Sequence, residues 1–211
     1  MSRFDAILFD MDNTLHSLRE ARFCAADGIM AYKGCFPDLH FYSLNRDNPN
    51  LVRYSLTDFF RENNLEGINE CIWLYQQLEI SCLRPFKPMI ELVWKLKEEG
   101  KKLAIISNAD IKSSAIRIRE LGLESCFNLI VTPETFSLKK PDIRVYLKTL
   151  ELLGVSPDHA VMIGDTASRD IIPAREAGLT AIHAWFGTVE EKDPLIYAEN
   201  PEDVFRILET L

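Results

Sequence analysis

A wound α/β sheet carrying an inserted helical module is the fold this sequence predicts, on three observations. Five short apolar runs recur along the chain, and they are continuous rather than alternating. That pattern suits strands buried on both faces of a parallel sheet. Amphipathic helical stripes, each closed by a glycine, separate the later runs, and such alternation is the mark of an α/β sheet. The stretch 16–84 breaks the rhythm and reads as mostly helical, so it is set apart as a separate module.

The elements follow in chain order. The first strand is Ala6–Phe9, directly after Met1-Ser2-Arg3-Phe4-Asp5. Within the inserted module, helices are expected over 17–33, 55–64 and 68–79, interrupted by the Pro- and Asn-containing stretch Gly34 to Asn50. From about 86 the alternation begins. Met89, Leu92, Val93 and Leu96 form a helical stripe that ends at Gly100, and Leu103–Ile106 is the second strand. Ile111, Ala115, Ile118 and Leu121 form the next stripe, ended by Gly122, before the strand Leu129–Val131. Tyr146, Leu147, Leu150 and Leu153 precede Gly154, then come strands at Ala160–Ile163 and Thr180–Ala184. A glycine just past the last apolar residue takes the left-handed turn that stops a helix. A last helix starts at Asn200-Pro201, a capping residue followed by a proline whose fixed φ suits the first turn, and it uses Val204, Leu208 and Leu211.

The bulk composition narrows the class. The chain has 211 residues, 47% of them hydrophobic and 27% charged, enough for one solid core with a small second module. Lys and Arg number 24 against 32 Asp and Glu, a net charge of −8, with no basic run. That balance argues against nucleic acid and anionic membranes, whose attraction needs clustered cations. No apolar stretch approaches the roughly 20 residues of a membrane span. Five cysteines, an odd number without Cys-x-x-Cys, read as scattered reduced thiols. With no signal peptide visible at the start, a cytoplasmic protein is expected, as a monomer or weak homodimer.

The chemistry lies where the strands end. The first closes in Asp10-Met11-Asp12-Asn13-Thr14 and the second in Ser107-Asn108. The third leads to Thr132 and then Lys139-Lys140-Pro141, and the fourth ends in Gly164-Asp165, with Asp170 five residues on. In open α/β sheets the ligand crevice lies beyond the carboxyl ends of the strands. If these strands are parallel, four segments bring four carboxylates, a hydroxyl, an amide and an ammonium to one edge. Clustered carboxylates need a counter-charge. Hard oxygen donors without Cys or His partners suit Mg²⁺. A divalent cation beside Lys140 favours a further anion, and a phosphoryl group fits, since its transfer needs positioning and charge neutralisation more than covalent work. Asp10 would attack phosphorus and form an aspartyl-phosphate. Asp12, two residues on, would protonate the leaving oxygen and later deprotonate water. Ser107, Asn108 and Lys140 would hold the phosphoryl oxygens.

This ordered set resembles the haloacid dehalogenase superfamily of hydrolases. The matching pieces are Asp10-Met11-Asp12-Asn13-Thr14-Leu15, Ser107-Asn108, Lys140-Pro141 and Gly164-Asp165 with Asp170, covering about half of the chain. The resemblance implies a Rossmann-like open parallel core over 1–15 and 86–211 and a helical cap over 16–85, of the branch that inserts its cap between the first and second motifs. It implies a nucleophile at Asp10, an acid/base at Asp12 and phosphate contacts from Ser107, Asn108 and Lys140. It places Mg²⁺ near Asp10, the Asp12 carbonyl, Asp165 and Asp170. Dehalogenases of the family lack the second Asp of the first motif, so Asp12 favours a phosphatase. Arg169 stands where many relatives carry Asn.

The expected activity is therefore Mg²⁺-dependent hydrolysis of a small phosphomonoester, a sugar phosphate, phosphoglycolate or a nucleoside monophosphate. A phosphosugar mutase and a non-catalytic phosphate-binding protein are the alternatives. Specificity is expected from the cap, where Arg19, Arg22, Phe23, Tyr32, Lys33, Phe41, Tyr42, Arg46, Arg53 and Tyr54 are candidates. Ordinary cap packing and solvated surface account for them equally well.

Overall fold

The computed structural model describes residues 3–34, 61, 64, 66–188, 192 and 195–211. The chain divides into two compact units, one of Met1–His16 with Pro85–Leu211 and one of Ser17–Arg84. Among the described residues, six strands form the main sheet of the first unit: β1 (Ala6–Phe9), β2 (Lys102–Ile106), β3 (Leu129–Val131), β4 (Ala160–Gly164), β5 (Thr180–Ala184) and β6 (Tyr197–Ala198). Among the described residues the α-helices are α1 (Leu18–Tyr32) and α2 (Ile68–Ser81) in the second unit, then α3 (Lys87–Glu98), α4 (Ile111–Glu120), α5 (Pro133–Phe136), α6 (Ile143–Leu153), α7 (Ile172–Glu176) and α8 (Pro201–Thr210) in the first.

The sheet order is β3-β2-β1-β4-β5-β6, and every neighbouring pair is parallel. Phe9 at the end of β1 lies level with Ile105 of β2 and Ile163 of β4. The order reverses direction between β1 and β4, so the crevice of this sheet opens where those two strands end.

Alternation along each strand explains why the apolar runs are continuous. Ile7 and Phe9, Leu103 and Ile105, and Val161 and Ile163 face one layer, built by Met89, Leu92 and Val93 of α3 and by Val204 and Leu208 of α8. Ala6 and Leu8, Ala104 and Ile106, and Met162 face the other, built by Val145, Tyr146 and Leu150 of α6 and by Ala174 of α7. Both faces are covered, so no strand position can be polar without cost. Each fully buried aliphatic side chain contributes roughly 1.5–3 kcal/mol of transfer free energy.

Helix ends are set by local hydrogen bonds. The Asp110 carboxylate accepts from Ser113 N at 2.9 Å ahead of α4, and that of Asp142 accepts from Arg144 N at 3.0 Å ahead of α6. Gly154 ends α6 in the left-handed region, φ 64°. Asn200 N donates to the Asp203 carboxylate at 3.0 Å, fixing the start of α8.

In the second unit α1 and α2 pack together. At Gly28 the two helices approach closely, and a Cβ there would come within 2.6 Å of Leu78 Cδ1. Arg22 Nε donates to Glu79 Oε2 at 3.1 Å, so this cation is tied into the unit by an ion pair. The cysteines are not all reduced thiols. Cys24 and Cys82, 58 positions apart, are joined in a disulfide with their Cα atoms 6.1 Å apart. Linear spacing could not reveal this pair, because two packed helices bring it together. Cys71 and Cys126 are buried thiols. The helix expected over 55–64 and the Gly34–Asn50 interruption lie outside the described residues, apart from Gly34, Arg61 and Asn64. So do the candidates Phe41, Tyr42, Arg46, Arg53 and Tyr54. No helix among the described residues is long and apolar enough to cross a membrane.

Candidate active site

The ends of β1 and β4 set the site. Asp10 N donates to Ile163 O at 2.8 Å, carrying the ladder between these strands one residue further and holding Asp10 at the crevice. The chain then turns sharply, with Leu15 N donating to Met11 O at 2.9 Å and Asn13 in the left-handed region at φ 63°. Beyond Gly164 at the end of β4 comes Asp165. A wide π-type turn, Ala167–Ile171, follows and returns Asp170 to the strand end.

Asp10, Asp165 and Asp170 meet there. One carboxylate oxygen of each lies within 4.8 Å of the others, and all three residues are buried. Lys140, 4% exposed, reaches between two of them, with Nζ 2.6 Å from Asp10 Oδ1 and 2.5 Å from Asp170 Oδ1. Thr14 Oγ1 donates to Asp10 Oδ2 at 3.1 Å, and Thr166 Oγ1 to Asp165 Oδ1 at 3.0 Å. Thr166 N donates to Asp170 Oδ2 at 3.0 Å. Sequence segments 130 and 30 residues from Lys140 thus converge on a single ammonium.

The charges do not balance. Three carboxylates face one ammonium, a surplus of two negative charges in a buried place. Burial pushes the Asp10 carboxyl up from 3.8 to about 6; Lys140 pulls it down, while Asp170 and Asp12 push it further up. Asp165 is raised well above the usual carboxylate range by burial and by the Asp10 and Asp170 carboxylates. Burial alone would lower Lys140, but its two carboxylate partners outweigh that and hold it above its ordinary value. An all-oxygen donor set with two uncompensated charges fits a hard divalent cation such as Mg²⁺.

A carboxyl raised on folding stabilises fully below its unfolded value, and that contribution is lost as pH rises through the folded one. For Asp10 the window runs from 3.8 to about 6. In metal-free protein, the stability of Asp10→Asn relative to wild type should therefore rise across that window, read as the difference in urea midpoints. Mg²⁺ should close the difference. A gap that stays flat with pH would show that the Asp10 charge is already compensated.

The other expected residues fall around this cluster. Ser107, buried at the end of β2, donates from its N to Val131 O at 2.9 Å, and its Oγ accepts from Ala109 N at 3.1 Å. The Asn108 carboxamide is engaged with Lys140: Nδ2 donates to Lys140 O at 3.0 Å, and Oδ1 accepts from Lys140 N at 2.9 Å. Asn108 thus fixes the main chain that carries the ammonium. The Asp12 carboxylate does not join the cluster of three. Arg117 Nη1 lies 3.0 and 2.9 Å from its two oxygens, and His16 Nε2 lies 3.1 Å from Oδ1.

Several side chains at the site carry no signal of their role in the linear sequence. Thr14 belongs to the first motif with no role read for it, and nothing in the linear sequence singles out Arg117 or His16. Tyr146 was counted only as core, yet its hydroxyl donates to Arg169 O at 2.5 Å and so holds the turn before Asp170. The Arg169 guanidinium donates to Thr166 Oγ1 at 2.7 Å, and this hydroxyl in turn meets Asp165.

Two glycines are required by close approach. A Cβ at Gly164 would lie 2.4 Å from Asp170 Cβ, and one at Gly187 would lie 1.7 Å from the Asn13 carbonyl oxygen. The second clash is with main chain, which cannot swing aside. Gly187→Ala is expected to cost at least about 1–3 kcal/mol by overpacking, read as a lowered denaturant midpoint. An unchanged midpoint would show that the turn after β1 yields freely.

The model of the haloacid dehalogenase-like hydrolase family matches residues 7–184. A phosphoglycolate phosphatase of Aquifex aeolicus is 30% identical over 96% of this chain and 96% of its own. A glyceraldehyde 3-phosphate phosphatase of Methanopyrus kandleri is 25% identical over 94% of this chain and 90% of its own. Among solved structures, the magnesium-bound hydrolase YfnB of Bacillus subtilis superposes with a TM-score of 0.80 at 20% identity, covering 98% of this chain and 99% of that one.

Proposed function

The chain belongs to the haloacid dehalogenase-like hydrolase family, and we propose from that premise that it hydrolyses a small phosphomonoester through an aspartyl-phosphate on Asp10. It is an enzyme of the phosphatase kind, as its relatives are. The observation that carries the mechanistic reading is the buried cluster of Asp10, Asp165 and Asp170 around Lys140, at the crevice where β1 and β4 end.

Asp10, Asp165, Asp170 and the Asp12 carbonyl would hold Mg²⁺. When bound, the metal supplies positive charge that lets the anionic Asp10 carboxylate and an anionic phosphate share one pocket. The chain's own groups do the rest. Lys140 Nζ, already within hydrogen-bond reach of Asp10, neutralises phosphoryl charge and aims the nucleophile. Ser107 Oγ and the backbone N–H groups after β1 and β2 take phosphoryl oxygens, and the Asn108 contact with phosphate comes from its main chain, since its carboxamide serves Lys140.

In the first step an Asp10 carboxylate oxygen forms a bond to phosphorus as the bond from phosphorus to the ester oxygen breaks. Asp12 gives its proton to that leaving oxygen. In the second step water attacks phosphorus, its proton passes to the Asp12 carboxylate, and the bond between Asp10 and phosphorus breaks. Inorganic phosphate leaves and both carboxyl groups return to their starting states.

The substrates of the two relatives, phosphoglycolate and glyceraldehyde 3-phosphate, are both small phosphorylated carbon compounds, which supports a substrate of that class here. The test is phosphate release from a panel of sugar phosphates, phosphoglycolate, glyceraldehyde 3-phosphate and nucleoside monophosphates, with Mg²⁺ and after its removal by chelation. Mg²⁺-restored release from at least one member supports the reading. Hexose phosphate isomerised without free phosphate would make the protein a mutase. Mg²⁺-dependent thermal stabilisation with no turnover would make it a binding protein.

A further inference from the structure

We infer that Arg117 is a positioning residue for the reaction: it holds the Asp12 carboxylate in the orientation from which a proton passes to the leaving oxygen and back from water. The inference rests on the phosphatase reading above and adds a residue to it.

The geometry is specific. Arg117 belongs to α4, and its side chain is only 9% exposed. Burying a guanidinium is costly unless it is paired, and an apolar side chain of similar size in its place is often the more stable solution. The partner lies 105 residues away, in the turn after β1: Nη1 lies 3.0 Å from Asp12 Oδ1 and 2.9 Å from Oδ2. Fully buried His16 brings Nε2 to 3.1 Å from the same Oδ1. The Arg117 guanidinium is the group hydrogen-bonded to both carboxylate oxygens, and it leaves 22% of the Asp12 side chain open.

That arrangement suits a group that must deliver a proton. Transfer needs heavy atoms at about 2.6–3.2 Å, and a misplacement of about 1 Å costs on the order of 10²-fold in rate. An ungripped aspartate would sample several rotamers. Arg117 also ties Asp12 to α4, the helix that follows the Ser107-Asn108 end of β2, so the proton-transferring group and the phosphate-holding segment are braced against each other.

The test compares substrates by leaving group. An alkyl phosphate needs a proton on its departing oxygen; an aryl phosphate with an acidic phenol, such as 4-nitrophenyl phosphate, needs far less help. Arg117→Met is expected to lower kcat/KM for the alkyl phosphate by about 10–10²-fold, and at least several-fold less for the aryl one. Asp12→Asn should show the same selectivity more strongly. The double variant should be no slower than Asp12→Asn, because residues acting through one another are not additive. Arg117→Lys keeps a cation in reach and should recover part of the loss; it also carries the comparison should Arg117→Met fail to fold. Equal losses on both substrates, or multiplying losses in the double variant, would overturn the inference while Asp12→Asn upholds the phosphatase reading. A wild type releasing no phosphate from any substrate would overturn that reading and this inference with it.

Discussion

Asp10→Asn is expected to lower turnover by about 10⁴-fold or more, the scale on which removing a nucleophile acts when no neighbouring group can replace it. The variant should stay folded. The amide keeps an oxygen for Lys140 Nζ, which lies 2.6 Å from Oδ1 in the native site, and Thr14 keeps a partner. It also removes one of three buried negative charges, and the raised Asp10 pKa of about 6 says that this charge is held at a cost in metal-free protein. Loss of activity together with equal or higher stability is therefore the expected signature. It separates a chemical role from a structural one, since a structural residue would lose both. Residual turnover near the wild-type level would mean that Asp10 is not the nucleophile.

Lys140→Met should have the largest effect on stability. The ammonium is the only cation in contact with Asp10 and Asp170 among the described hydrogen bonds and ion pairs. Its removal leaves three carboxylates with oxygens within 4.8 Å and no counter-charge. Breaking a buried ion pair by deleting one partner costs about 3–5 kcal/mol, which for a chain of this size lowers the thermal midpoint by roughly 6–20 °C. Mg²⁺ should return part of the loss, because the same carboxylates are its donors. Turnover with saturating Mg²⁺ should still fall by about 10²–10³-fold, the usual effect of deleting one charge-stabilising donor. The measurement is a pair of thermal scans with and without Mg²⁺, alongside steady-state rates. A midpoint within a degree or two of wild type would show that the carboxylates are protonated or solvated, not gripped.

Much of this architecture can be read before any coordinates. The parallel strands announce themselves because both faces are covered, so residues such as Ile7 and Leu8, which point to opposite layers, must both be apolar. The site is legible for a related reason. Asp10, Ser107, Lys140 and Asp165 follow strands or the loops beyond them, and parallel strands deliver all of these to one edge. What sequence cannot supply is lateral contact between elements. Arg117 lies between the apolar positions Ala115 and Ile118 of α4, and nothing linear connects it to Asp12. The Asn108 carboxamide looks like a phosphate ligand until Lys140 is seen to occupy it. Strand β6 is only two residues long and pairs through His183 and Ala184 alone, too short for any periodicity. Cys24 and Cys82 meet only because α1 and α2 pack.

The central claim is that phosphorus becomes bonded to Asp10, and trapping that bond tests it most directly. Wild-type protein mixed with Mg²⁺ and a ³²P-labelled substrate and quenched in acid within one turnover should carry hydroxylamine-labile label. Peptide mapping should assign the label to the segment Phe9–Leu15, and the label should be absent in Asp10→Asn. Label on another residue, or phosphate release with no labelled protein at any time point while Asp10→Asn remains active, would contradict the account.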